Sequence, residues 1–339
     1  MHQSFGLLMK KILIFILICF CSYSYAQQPI YTLYYTNPLP INPALTGSAH
    51  KFRSGINFRN QWSNFNGSLT AYSVFADNYF STINSGIGLN IYTDQAGNAN
   101  FRTTLISASY AYNARIGNNV FLKTGIQPNI AFAGLDQGSL TFNDQLTATG
   151  PTGQASAEAS TIGNKRTYFN LNSGILMTAQ NFWLGISGYN LITPKVGMSD
   201  ASKLPIGFGI QTGYKLEFLA DQISRKEKKE RFLMPHLFFS SIGASKQLYI
   251  GTEIVYEPFT AGITLRGNYF SKVATVGNTN SLAINIGFRK KNVQSSYCYD
   301  IPLSNKTSLL GPSHEISIRT LFKLWQRPSR RKTERLDLF

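Results

Sequence analysis

From Lys51 to Asn60 apolar and polar residues take turns: Phe52, Ile56 and Phe58 fall on one side, and Arg53, Asn57 and Arg59 on the other. Successive side chains of a strand point in opposite directions, so this segment has one apolar and one polar face. The same alternation sets Leu122, Thr124 and Ile126 against Lys123, Gly125 and Gln127, and Leu282, Ile284, Ile286 and Phe288 against Asn285, Gly287 and Arg289. It predicts fourteen strands: Phe52–Asn60, Leu69–Ala76, Ser85–Thr93, Phe101–Asn113, Asn119–Ala131, Thr167–Thr178, Phe182–Asn190, Ile206–Leu216, Phe232–Ser241, Gln247–Tyr256, Phe259–Gly267, Ser281–Lys290, Val293–Asp300 and Ser313–Phe322. A soluble sandwich buries the apolar faces. A membrane barrel turns them to lipid and keeps the polar faces for its lumen.

The connections separate these two folds. If the chain enters from the periplasm, the odd-numbered connections lie outside. They include the long Ala133–Arg166, Leu191–Pro205, Asn268–Asn280 and Ile301–Pro312. The even-numbered ones include the short Ala114–Asn118, Ala179–Asn181, Glu257-Pro258 and Lys291-Asn292. Short periplasmic turns with long outer loops are the rule in outer-membrane barrels. Glu217–Arg231 and Ile242–Lys246 run against the trend, and Asp77–Asn84 is intermediate. The expected fold is therefore an all-β, antiparallel, up-and-down transmembrane barrel of about fourteen strands. Both chain ends lie in the periplasm, and no unpaired edge meets lipid.

Composition agrees. Charged residues make up only 14% of the chain, while Phe and Tyr number 24 and 18, as a lipid-facing band with aromatic girdles requires. Mean hydropathy is −0.10. Much of the excess behind the net charge of +16 lies in Arg225–Arg231 and in the tail after Lys323. Solvated charge beside a membrane or an anionic partner explains it better than nucleic acid, which an exported chain seldom meets. Lys10 and Lys11, the apolar run Ile12–Phe20 and the small-x-small step Ser24-Tyr25-Ala26 read as an export leader over residues 1–26; the run is too short for a membrane-spanning anchor. Cys19 and Cys21 belong to that leader. Cys298 alone remains, which excludes an internal disulfide and a cysteine-based metal site.

No catalytic constellation stands out. Ser313, His314 and Glu315 are consecutive, so a strand points His314 away from its neighbours. Gly207, Gly209 and Gly213 lack dinucleotide-binding spacing, and glycine in a barrel strand relieves crowding or permits a bend. Arg53, Arg59, Arg102, Arg266 and Arg289 are candidates to line a lumen, either disfavouring cation passage or pairing with luminal carboxylates. No cofactor is expected. Residues 147–163 form a Gly-, Ala-, Ser- and Thr-rich loop, expected to be mobile, with partner contact as the other reading.

Before the first strand, residues 27–50 form a Pro-rich segment. Pro38, Pro40 and Pro43 forbid both helix and ladder hydrogen bonding, yet the block carries tyrosines and aliphatics that need cover. An ordered, extended segment packed in or under the periplasmic mouth fits this better than a free linker.

The block Tyr34-x-x-Asn37-Pro38-Leu39-x-Ile41-Asn42-Pro43-Ala44-x-x-Gly47-Ser48, followed by Arg59-Asn60-Gln61-Trp62, resembles the opening of the PorP/SprF family of type IX secretion outer-membrane proteins. The likeness runs from Tyr31 to Phe322 through Asp94, Gly97, Phe182-Trp183 and Gly311-Pro312-Ser313-His314-Glu315. The basic tail 323–339 and the enlarged turn around Arg225–Arg231 depart from the family; solvated extension is slightly preferred over contact with a periplasmic component. The resemblance implies a role in exporting or surface-anchoring large proteins such as gliding adhesins. Its partners would be a cargo C-terminal domain, other secretion components and the bilayer. It also implies structural or partner-binding roles for the motif residues Asn37, Pro38, Asn42, Pro43, Gly47, Arg59, Asn60, Gln61, Trp62, Asp94, Gly97, Ser313, His314 and Glu315. A barrel of this size is too narrow for folded cargo, so a docking platform is expected. A passive channel or small-hydrophobe transporter is the alternative.

Overall fold

The computed structural model describes residues 31–65, 67–97, 100–136, 138, 140–147, 150–152, 154, 156–157, 165–196, 202–218, 230–268, 280–290, 292–304 and 308–323. The expected leader, most of the enlarged turn and the tail beyond Lys323 lie outside them.

Fourteen long strands follow one another: β1 (Phe52–Gln61), β2 (Leu69–Phe80), β3 (Ser85–Ala96), β4 (Phe101–Gly117), β5 (Val120–Gly134), β6 (Lys165–Ala179), β7 (Phe182–Tyr189), β8 (Gly207–Tyr214), β9 (Arg231–Ile242), β10 (Ser245–Tyr256), β11 (Phe259–Gly267), β12 (Ser281–Lys290), β13 (Val293–Pro302) and β14 (Ser313–Phe322). Each pairs antiparallel with its sequence neighbours, and β1 pairs with β14 from Phe52↔Phe322 to Asn60↔His314. The sheet is thus a closed barrel whose ladder leaves no strand edge bare, as a bilayer demands.

The alternation read from sequence is the alternation of the wall. In β3, Ile87, Leu89 and Ile91 point outward while Gly88 and Asn90 are buried inside. Leu89 and Ile286 are 60% and 61% exposed, which only a lipid environment makes tolerable over a whole circumference. Aromatic side chains ring both ends of this band. Phe80, Tyr256, Phe288 and Phe322 lie at the end where the chain enters β1 and leaves β14, here the terminus end. Tyr72, Phe132 and Phe169 lie at the opposite, loop end.

Several strands reach further than periodicity indicates. The strand expected to stop at Ala76 continues to Phe80, so the turn expected over Asp77–Asn84 shrinks to residues 81–84. Asp77 and Tyr79 meet Gly47 and His50 of the barrel's contents, and Asn78 between them is buried too. The loop asymmetry persists: 135–164, 190–206, 268–280 and 303–312 are long at the loop end, and the terminus end has tight turns except at 215–230. In the connection 135–164, Leu146–Thr147 pairs with Gly150–Pro151, and Asp144 accepts from Ser156 Oγ and the Ala157 amide, so part of a loop expected to be mobile is hydrogen-bonded upon itself.

Candidate functional site

The lumen is filled by the chain itself. Every residue from Tyr31 to His50 is buried except Pro40 and His50, which are half-buried. The local chemistry makes a compact coil. Pro38 accepts hydrogen bonds at its carbonyl from the Ile41 and Asn42 amides. Asn42 caps the short 3-10 turn Pro43–Leu45 by accepting from the Ala44 amide at 2.9 Å, with Pro43 at the first helical position, where its missing N–H costs nothing. Gly47, at φ +70°, then turns the chain toward β1, a left-handed conformation that glycine adopts without penalty.

Strand register shows where this coil sits. One lateral row of inward positions reads Gly86, Ala111, Gly125, Gly174, Ser187, Gly209 across β3 to β8. The segment Ile41–Gly47 lies along that row, crossing the strands. Ser187 Oγ and Tyr189 OH donate to the Ile41 carbonyl; Asn42 lies on Gly174, Pro43 and Ala44 on Gly125, and Thr46 on Gly86. A Cβ at any of these three glycines would collide with the coil, so their spare space is the seat. Asn42 also donates to the carbonyls of Ile175 and Ile186.

Two charged clamps hold the ends. Near the terminus end, Arg53 forms a bidentate pair with Asp77 (2.8 and 2.7 Å) and also donates to the Leu45 carbonyl, while Asp77 accepts from the Gly47 amide. Further up the lumen, Glu315 accepts from the Thr32 and Leu33 amides at 2.8 and 3.1 Å. Arg59 bridges Glu315 and Asp300 at 3.0 Å each, Arg266 adds a second cation on Asp300 at 3.1 Å, and Thr32 Oγ1 donates to Asp300. A buried charge is tolerable only when paired and hydrogen-bonded, and this network meets both conditions. Between the clamps, Asn37 donates to Ser73 and Asn90, and Gln127 donates to the Leu39 carbonyl.

The remaining space is an apolar core. Leu33, Tyr34, Tyr35, Ile41, Ala44 and Leu45 pack with Leu176, Trp183, Phe232, Met234, Phe238 and Val255 of the wall. Tyr34 stacks on Phe238 at 4.9 Å and bonds His236 Nδ1 at 2.8 Å. Such inward-facing residues have no place in a water-filled pore.

The structure gathers some motif residues and leaves others apart. Asn37, Pro38, Asn42, Pro43 and Gly47 form the coil, and Arg59 and Glu315 anchor it. Ser313 is buried inside beside Asp300, its register partner. Asn60 and His314 are register partners on the outer wall, where His314 Nδ1 meets Tyr297 OH at 2.8 Å. Gln61 Oε1 accepts from Arg59 Nε at 3.4 Å. Trp62, at φ +64°, turns the chain into a rim where Ser63 and Asn64 donate to the Pro312 and Leu310 carbonyls. Gly97 sits apart in the β3–β4 turn at φ +71°, and Asp94 faces the loop-end lumen. Arg102 was a candidate lumen arginine, but it belongs to the outward set of β4 with Thr104 and Ile106, donating to the equally outward Gln95. Arg53, Arg59 and Arg266 pair with luminal carboxylates, and Arg289 with Glu230 at the terminus end. Asp77 and Asp300, absent from the candidates, prove as central as Arg59. Their one signal was a lone acid at an inward position of a chain poor in acids.

Among solved structures the barrel is similar to the CymD monoaromatic hydrocarbon channel (12% identity, 88% of this chain and 95% of that one, TM-score 0.49). It is also similar to the P. putida toluene transporter TodX (8%, 84% and 93%, TM-score 0.45) and to the Acinetobacter baumannii outer membrane protein Omp33 (7%, 82% and 100%, TM-score 0.44). No curated protein matches the chain. Residues 23–320 match the family described as type IX secretion system membrane protein PorP/SprF. A closed barrel that displays the family's opening motif as its own core is thus a member of the PorP/SprF family of type IX secretion membrane proteins.

Proposed function

We propose that this protein is a docking barrel of the outer membrane that supports export or surface anchoring of a large secreted protein, such as a gliding adhesin, and does not itself conduct the cargo. The observation that carries this reading is the filled lumen: a pore occupied by twenty residues, eighteen of them buried, presents its ends and not its interior to partners. The terminus end faces the periplasm, following the even strand count and the short turns. The loop end, with the Leu146–Thr147 and Gly150–Pro151 pairing and the rim bonds from Ser63 and Asn64 to the Pro312 and Leu310 carbonyls, holds the cargo's C-terminal domain.

The reading is tested by deleting residues 135–164 in a barrel that still inserts and by comparing the surface proteome with that of a strain lacking the protein. Loss of one large surface protein from both strains supports a dedicated anchor. Full cargo retention by the loop deletion excludes that loop as the docking site. The alternative, a channel for small solutes or hydrophobes, requires steady conductance from the purified protein, and the seated coil opposes it.

A further inference from the structure

Above the coil, toward the loop end, the inner wall changes character. The next rows across β3 to β6 read Asn90, Ser107, Asn129, Asn170, then Tyr92, Leu105, Ala131, Tyr168, then Asp94, Thr103, Ala133, Arg166. Two tyrosines therefore flank the Leu105–Ala131 pair, separated by three strand spacings, about 14 Å. Tyr31, the first described residue of the coil, stands edge-on to Tyr92 at 6.2 Å. Asp94 lies one row higher, two residues beyond Tyr92 on the inward face of the same strand. Among the described residues the luminal acids Asp94 and Glu253 make no ion pair, whereas Asp77, Asp300 and Glu315 each hold an arginine; Glu253 is fully buried and Asp94 only half-buried.

We infer that Asp94, Tyr31, Tyr92 and Tyr168 form a binding site for an organic cation, the ammonium or guanidinium of a polypeptide. Tyrosine faces attract cations through the ring quadrupole, and a half-buried carboxylate without a counter-ion supplies the charge that fixes the guest in place. Arg166 stands at the far end of the Asp94 row, three strands away, whereas Tyr92 is the inward neighbour of Asp94 on its own strand. A neutral or acidic guest gains nothing from this arrangement. The cation has two possible sources: a lysine or arginine of a partner entering from the loop end, or an amine of this chain upstream of Tyr31, which borders the site.

The test is titration of the purified full-length barrel in detergent with N-acetyl-arginine amide, followed by tyrosine fluorescence, with N-acetyl-glutamine amide as the neutral control. It is run on protein with a free and with an acetylated amino terminus. Saturable binding of the arginine probe, weakened at least tenfold in Asp94→Asn and in Tyr92→Leu at an unchanged melting temperature, supports the site and a partner source. Binding that appears only after acetylation also supports it, and identifies the chain's own amine as the occupant. Equal response to both probes, or an Asp94→Asn variant that binds like the parent in both forms, overturns it. Because the readout is binding in vitro, its failure leaves the secretion role standing.

Discussion

Arg59 ties the coil to two strands of the wall. It touches β13, β14 and the coil at once, through Asp300, Glu315 and Thr32, and is fully buried. Arg59→Met leaves two carboxylates facing each other with Arg266 alone to balance them, a loss on the order of 3–5 kcal/mol for an uncompensated buried charge. The expected outcome is a folded band that converts to the unfolded form at a clearly lower temperature on semi-native gels. An additional Glu315→Gln change should recover part of the difference. Glycines are not equivalent at this scale. Gly97→Ala meets open space, and its φ of +71° costs about 1–2 kcal/mol, which urea titration should register as a small shift. Gly125→Val drives a side chain into Pro43 and Ala44 and should unseat the coil, detected as new protease cleavage within residues 31–50.

At the level of elements, the strands were legible and the coil's place was not. Alternation is local, so Phe259–Gly267, Ser281–Lys290 and Ser313–Phe322 emerge from the sequence with the ends they have in the fold. The coil was visible as an ordered Pro-rich block in need of cover. That it occupies the lumen depends on the row Gly86, Ala111, Gly125, Gly174, whose members are strangers in sequence and neighbours only once register is known. The same holds for Asp77 and Asp300, which gain meaning from arginines on other strands. Deleting residues 31–48 strips cover from Phe232, Met234 and Phe238, each worth about 1.5–3 kcal/mol when buried. The parent protein should show no steady conductance in planar bilayers; the deletion variant should be less stable and should conduct. A silent deletion variant that is properly inserted would mean that something other than the coil closes the pore.

For the whole molecule, two surfaces of opposite demand share one sheet: an apolar exterior for lipid and an interior packed like a soluble protein. Ile286→Lys, mid-depth on the outside, should cost about 2–4 kcal/mol of insertion free energy, read as a lower folded fraction in lipid vesicles. The coil also dictates an order of events. It precedes β1 in the chain, yet its upstream end is gripped by Glu315 of β14 and Asp300 of β13, the last strands to be made. The grip on the coil's upstream end is therefore complete only once the final strand has paired with β1. Wall and contents are thus finished together: the coil's last contacts wait on the strands made last.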